Sequence, residues 1–158
     1  MTGLAHRLPA TSRRVELHTA PRLNQAIRDR ADAEVLRLES ADAATLASRG
    51  RALRQEWDIE RALQLNASVA ATLGLLLASR DRRFLLLPLA VFSFFAQHAL
   101  QGWCPPVPVM RRLGMRTVRE IERERYALKA LHGDFDALPG PDTPVSERVR
   151  AALAAVDA

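Results

Sequence analysis

The distribution of charge constrains this chain more than any other feature. Residues 62–79 carry no Asp, Glu, Lys or Arg for 18 positions, and residues 84–110 carry none for 27. Those 45 residues leave 113 to hold all 41 charges, so the remainder is about 36% charged. Segregation this sharp is what two solvents acting on one chain select. A helix needs about 20 apolar residues, at a rise of about 1.5 Å each, to cross about 30 Å of hydrocarbon. The pattern therefore predicts two membrane spans, about 62–79 and 84–103. The second contains four of the five Phe and ends at Trp103, where an interfacial aromatic belongs. The first is shorter and is interrupted by Gln64, Asn66, Ser68 and Thr72, but its Leu73–Leu77 segment favours insertion and Arg61 and Arg80 can snorkel. A buried helix of a soluble bundle is the alternative for this run. The link Arg80-Asp81-Arg82-Arg83 argues for a hairpin tip at a membrane surface, because a turn this short has no room to hide three arginines in a core.

Other classes are excluded by composition. A single Cys forms no internal disulfide, and seven Gly in 158 residues exclude a collagen-like repeat. The net charge of +5 invites a nucleic-acid reading, but the arginines alternate with carboxylates and aromatics make up only 5% of the chain. The positive charge reads instead as a topology signal. Four arginines (Arg49, Arg51, Arg54, Arg61) precede the first span, and seven basic residues lie in 111–129, against three at the tip. Both termini are expected in the cytoplasm.

The flanks read as helices. Residues 1–20 look like a disordered tail. Residues 21–61 look like amphipathic helices leading into the membrane, opened by Pro21 and carrying Leu23, Ile27, Ala31, Val35 and Leu38 on one face. Ser40 is a candidate cap for the next helix, which is expected to run on through Ile59 into the first span. After the hairpin, 62–110, three prolines in 105–108 end the helix. Residues 111–133 form a basic amphipathic helix, with Thr117 and Glu120 spaced as a capping box, an apolar face of Val118, Ile121, Leu128 and Leu131, and a stop at Gly133. Residues 134–158 form a linker and a short tail helix. The expected fold class is all-α: an integral membrane protein with a two-span helical hairpin flanked by amphipathic cytoplasmic helices.

Chemistry-bearing motifs are few. The chain has no Gly-rich phosphate loop, Cys-x-x-Cys pair or His-Glu-x-x-His helix, so no catalytic, metal-binding or cofactor-binding residue is assigned and no cofactor is expected. Ser93, Gln97 and Gln101 share one helix face, as do Gln64, Ser68 and Thr72, while Ala70, Gly74 and Ala78 form a small-residue ladder. Such residues pack or hydrogen-bond helices together in lipid; lining a polar pore is the sharper use of the same faces. His98 is titratable within a span, a functional candidate by default. Cys104 follows it, and Arg111 and Arg112 are near enough in sequence to promote a thiolate.

Trp57-Asp58-Ile59-Glu60-Arg61, a polar-flecked span, a basic turn, a second span and Gly102-Trp103-Cys104-Pro105 together resemble the YgaP-like transmembrane domain family over roughly residues 57–113. The stretch from Gln97 to Pro106 and then Glu122 to Lys129 is similar to a longer subgroup of it. The resemblance implies a dimeric membrane hairpin of the bacterial inner membrane, with a loose tie to sulfur handling through members that carry a rhodanese domain. This chain has no rhodanese loop around its one Cys, so that activity does not carry over. The expectation is a non-catalytic, self-associating or partner-docking membrane module. Its expected partners are the lipid bilayer, a second copy, and an unidentified membrane or cytoplasmic protein. The alternatives are a sulfur-carrier or redox protein using Cys104, and oligomeric passage of a small solute.

Overall fold

A computed structural model describes residues 9–157, which are all-helical: the chain is 72% helix, with no strand among the described residues. The helices are α1 (Arg14–Leu17), α2 (Pro21–Arg37), α3 (Ala43–Gln55), α4 (Ile59–Ala78), α5 (Leu86–Gln101), α6 (Val107–Arg112), α7 (Val118–His132) and α8 (Val145–Asp157), with a 3-10 turn at Arg82–Leu85. They divide between two compact units, one of residues 9–29 and Trp57–Ile121, the other of Arg30–Glu56 and 122–157.

In the first unit, Asp58 caps α4 by accepting from the Arg61 amide at 2.6 Å. Asp81 opens the 3-10 turn by accepting from the Arg83 amide at 2.9 Å. Gly102, at φ +81°, closes α5 and donates its amide to the His98 carbonyl at 2.7 Å. α4 and α5 pack against each other. Gly74 permits their closest approach, since a Cβ there would lie 2.6 Å from Pro88 Cδ. Pro88 sits in the first turn of α5, where its missing N–H breaks no helical hydrogen bond. The helical stretch ending at Ala78 and that over Arg82–Gln101 are each long and apolar enough to cross a membrane.

Burial is concentrated at one end of this pair. Val15, Ile59, Leu63, Cys104 and Val107 form an apolar cluster, with Phe95 and Met110 against it. Elsewhere the outward faces are open: Leu65, Leu73, Leu76 on α4 and Leu86, Leu89, Phe92 on α5 are each more than half exposed.

The second unit holds α3, α8 and the remainder of α2 and α7. Its buried apolar residues include Ala31, Leu38, Leu53 and Leu128. Glu124, with no exposed side-chain surface, accepts from Arg49 Nε and Nη2 at 2.8 and 2.6 Å, and Arg123 pairs with Asp32.

Several expectations need correction. Residues 1–8 of the expected disordered tail lie outside the described residues, but within 9–20 Arg14–Leu17 form α1. Val15 is buried, and the Thr19 hydroxyl donates to its carbonyl at 2.8 Å. The segment is held by isolated anchors, which leave no periodicity to read. Asp42, not Ser40, caps α3, accepting from the Thr45 amide at 2.7 Å. The helix does not run on from α3 into α4: Glu56 is extended, and the Ile59 amide donates to the Arg116 carbonyl at 2.9 Å. The segment 111–133 holds the end of α6 and all of α7, parted around Gly114, whose φ is +85°. α7 does stop at Gly133, but Val118 and Leu131 are exposed while Glu120, Glu124 and Lys129 are buried.

Candidate functional site

The densest polar chemistry of the first unit gathers where α4 begins and α5 ends. Glu60, in the first turn of α4, carries two partners. Its Oε2 stands 2.9 Å from His98 Nε2, and its Oε1 accepts from Arg14 Nη2 at 2.9 Å. With an ionised carboxylate as acceptor, His98 Nε2 is the nitrogen that carries the proton, an assignment made from the hydrogen-bond network. His98 is 1% exposed, and its Nδ1 is buried without a partner. Arg14 reaches Glu60 because the chain at Arg14 lies directly on Gly102. A Cβ on Gly102 would fall 2.4 Å from the Arg14 carbonyl carbon, so both the positive φ and the close approach require glycine there. The Gly of the Gly-Trp-Cys-Pro sequence thus seats the N-terminal segment.

A second network lies beside the first. Arg111, 1% exposed, donates to Glu120 Oε2 at 2.7 Å and Oε1 at 2.8 Å, to Asn24 Oδ1 at 2.7 Å and to the Met115 carbonyl at 2.9 Å. The expected capping box is part of it: the Thr117 amide donates to Glu120 Oε2 at 2.9 Å, and the Glu120 amide to Thr117 Oγ1 at 3.3 Å. Burial pushes the Glu120 carboxyl up, but Arg111 and Thr117 outweigh it and hold the group below its ordinary value. The bidentate geometry is the arrangement in which a buried ion pair recovers most of its desolvation cost.

Cys104 is a free thiol, 3% exposed, in the apolar cluster. Burial pushes its pKa up, and the Glu60 carboxylate adds to the rise against the Val107 amide hydrogen bond. Arg111, expected to promote a thiolate, is committed to Glu120. His98 and Cys104 are not brought into a nucleophile–base pair, since Nε2 belongs to Glu60 and Nδ1 has no partner. Cys104 instead walls an apolar cavity of about 290 Å³ between α4, α5 and Pro105, which Asn66, Ala70 and Phe94 also line.

The remaining candidates separate. Gly74 is buried against Leu87 and Pro88, while Ala70 and Ala78 are half-buried, so the small-residue ladder lies along the contact between α4 and α5. Gln97 is half-buried and Gln101 exposed. Ser93 is exposed and returns its hydroxyl to the Leu89 carbonyl at 2.8 Å. Gln64, Ser68 and Thr72 are all exposed, forming a polar stripe on a face crowded with exposed leucines. No group of three or more His, Cys, Asp or Glu suited to a metal occurs among the described residues.

Sequence reasoning missed Glu60 as the partner of His98. The signal was present: in an antiparallel pair of helices, a carboxylate just before one span meets a titratable group near the end of the other. Arg14 left no comparable signal. The arrangement pairs Glu60 with His98 and Arg14, and Glu120 with Arg111, at one end of two apolar helices, while Arg14 Nε, His98 Nδ1 and Arg111 Nε stay buried without partners. The chain matches no family model, no curated protein and no solved structure.

Proposed function

We propose that the chain is an inner-membrane protein of a bacterium in which α4 and α5 form a transmembrane hairpin, and that it acts as a non-catalytic, self-associating module. The observation that carries the membrane reading is the contrast along these two helices. Their outward leucines and Phe92 are more than half exposed, whereas the ion pairs collect at one end. An apolar surface of that extent is unfavourable in water and ordinary in lipid. The spans are about 62–79 and 84–103, and eleven basic residues flanking the hairpin against three at its tip favour cytoplasmic termini. The family resemblance read from Glu60-Arg61 and Gly102-Trp103-Cys104-Pro105 supports the same fold.

Self-association follows from the stripe of Gln64, Ser68 and Thr72. One copy leaves these groups facing outward, and in hydrocarbon a polar side chain finds its partner on another helix, at about 0.6–2 kcal/mol each. With Cys104 replaced by serine, Ser68→Cys is expected to form a disulfide-linked dimer on mild oxidation in bilayers. Combining it with Gln64→Leu and Thr72→Val should lower the yield severalfold. Equal cross-linking with and without the polar pair would refute the reading. The sulfur-carrier alternative depends on a thiolate, and burial of Cys104 works against one.

A further inference from the structure

The second unit contains a groove of about 340 Å³ between α3 and the last two turns of α7. Its floor is apolar, with Leu46 and Leu128 and, at the middle of α3, Gly50. Glycine inside a helix is destabilising relative to alanine, and here the chain's own packing does not require it. A Cβ on Gly50 would meet nothing nearer than Arg54 Nη1, at 3.8 Å. What the glycine leaves is a smooth floor with the Arg54 guanidinium beside it.

The rim is cationic, and its charges are unevenly matched. Arg125 is neutralised by Glu122, Nη2 to Oε2 2.7 Å. Asp134, the one carboxylate of the groove, is engaged by His132 Nδ1 at 2.9 Å. Lys129, whose side chain is 9% exposed, donates to the Val156 carbonyl at 3.0 Å and stands 3.8 Å from Asp134 Oδ2. A largely buried ammonium with one neutral acceptor and one distant, shared carboxylate is incompletely compensated. Arg54 makes no ion pair among the described residues. Arg54 and Lys129 therefore line the same groove as the apolar floor, with Asp134 as its carboxylate.

We propose that this groove binds the phosphate of an organic phosphate with a slim apolar tail, its oxygens between Arg54 and Lys129 and its tail over Gly50 against Leu46 and Leu128. Donors arriving from a guanidinium and an ammonium suit a phosphate, which offers three acceptor oxygens, better than a carboxylate with two. The same chemistry is presented by a phosphomonoester lipid and by a soluble organic phosphate. The groove uses no residue of α4 or α5, so failure of this site and failure of the membrane reading are separate results.

The test uses the full chain in phosphatidylcholine nanodiscs, titrated calorimetrically with hexyl phosphate and with inorganic phosphate. Hexyl phosphate is expected to bind at least tenfold more tightly than inorganic phosphate. Arg54→Gln, an exposed position, should weaken it at least fivefold, and Gly50→Leu should abolish binding with no loss of melting temperature. Replacing part of the phosphatidylcholine by phosphatidate supports a lipid source if the apparent Kd for hexyl phosphate rises, and a soluble source if it is unchanged. Equal affinity for the two phosphates, or affinities unaltered by both substitutions, would overturn the site.

Discussion

Gly74→Ala tests the contact on which the helix pair depends. The new Cβ would stand 2.6 Å from Pro88 Cδ and 3.1 and 3.2 Å from Leu87 Cβ and Cγ. The leucine can change rotamer, but the proline ring is tied to its backbone. Restoring an ordinary contact of 3.4 Å therefore moves α5 away from α4 by about 0.8 Å at this point. Overpacking of this kind costs about 1–3 kcal/mol, and the better helix propensity of alanine returns up to about 1 kcal/mol. The expected net loss is about 1–2 kcal/mol. It is measurable as reversible unfolding in mixed dodecylmaltoside–SDS micelles, followed by far-UV circular dichroism. Leu76→Ala, an outward position on α4, should change stability by less than about 0.5 kcal/mol and serves as the control. A Gly74→Ala protein as stable as the parent would refute the packing argument.

Other consequences are as direct. Gly102→Ala combines a positive φ with a clash against Arg14, and strain there of about 1–2 kcal/mol should release the N-terminal segment, read as severalfold faster tryptic cleavage after Arg13 or Arg14. Arg111→Met leaves Glu120 buried without its cationic partner and should cost about 3–5 kcal/mol, most of it recovered in the Arg111→Met/Glu120→Met double variant. Because the Glu120 pKa is lowered on folding, its contribution is complete above the unfolded value of about 4.3 and is lost as pH falls through the lower folded value. Thermal melts from pH 7 to pH 3 should show that acid-side loss, and Glu120→Gln should flatten it. Maleimide should label Cys104 in the native protein at less than a tenth of its rate in SDS, and equal rates would reopen the carrier reading.

The two apolar helices were legible because a charge-free run of their length has few physical solutions, and the capping box at Thr117 was legible because its spacing is local. The foot of the pair was less so. Val15, Arg14 and Asn24 gain their places through contacts with Ile59, Glu60 and Arg111, far along the chain, and no local pattern announces such anchors. α7 illustrates the opposite error. Its apolar periodicity is genuine, but Glu120 and Glu124 are buried because arginines meet them, and periodicity counts a buried ion pair as surface. Cys104 was singled out for its chemistry. Its setting among Ile59, Leu63 and Val107 makes it a packing residue, a property that depends on neighbours rather than on the Cys-Pro dipeptide.

The topology can be measured with two single cysteines placed in a Cys104→Ser background, one at Asp81 in the turn and one at Ser12 near the foot. A membrane-impermeant maleimide applied to right-side-out and inside-out vesicles should label Asp81→Cys only in the former and Ser12→Cys only in the latter. Labelling of both positions from the same side would contradict a hairpin that crosses the bilayer.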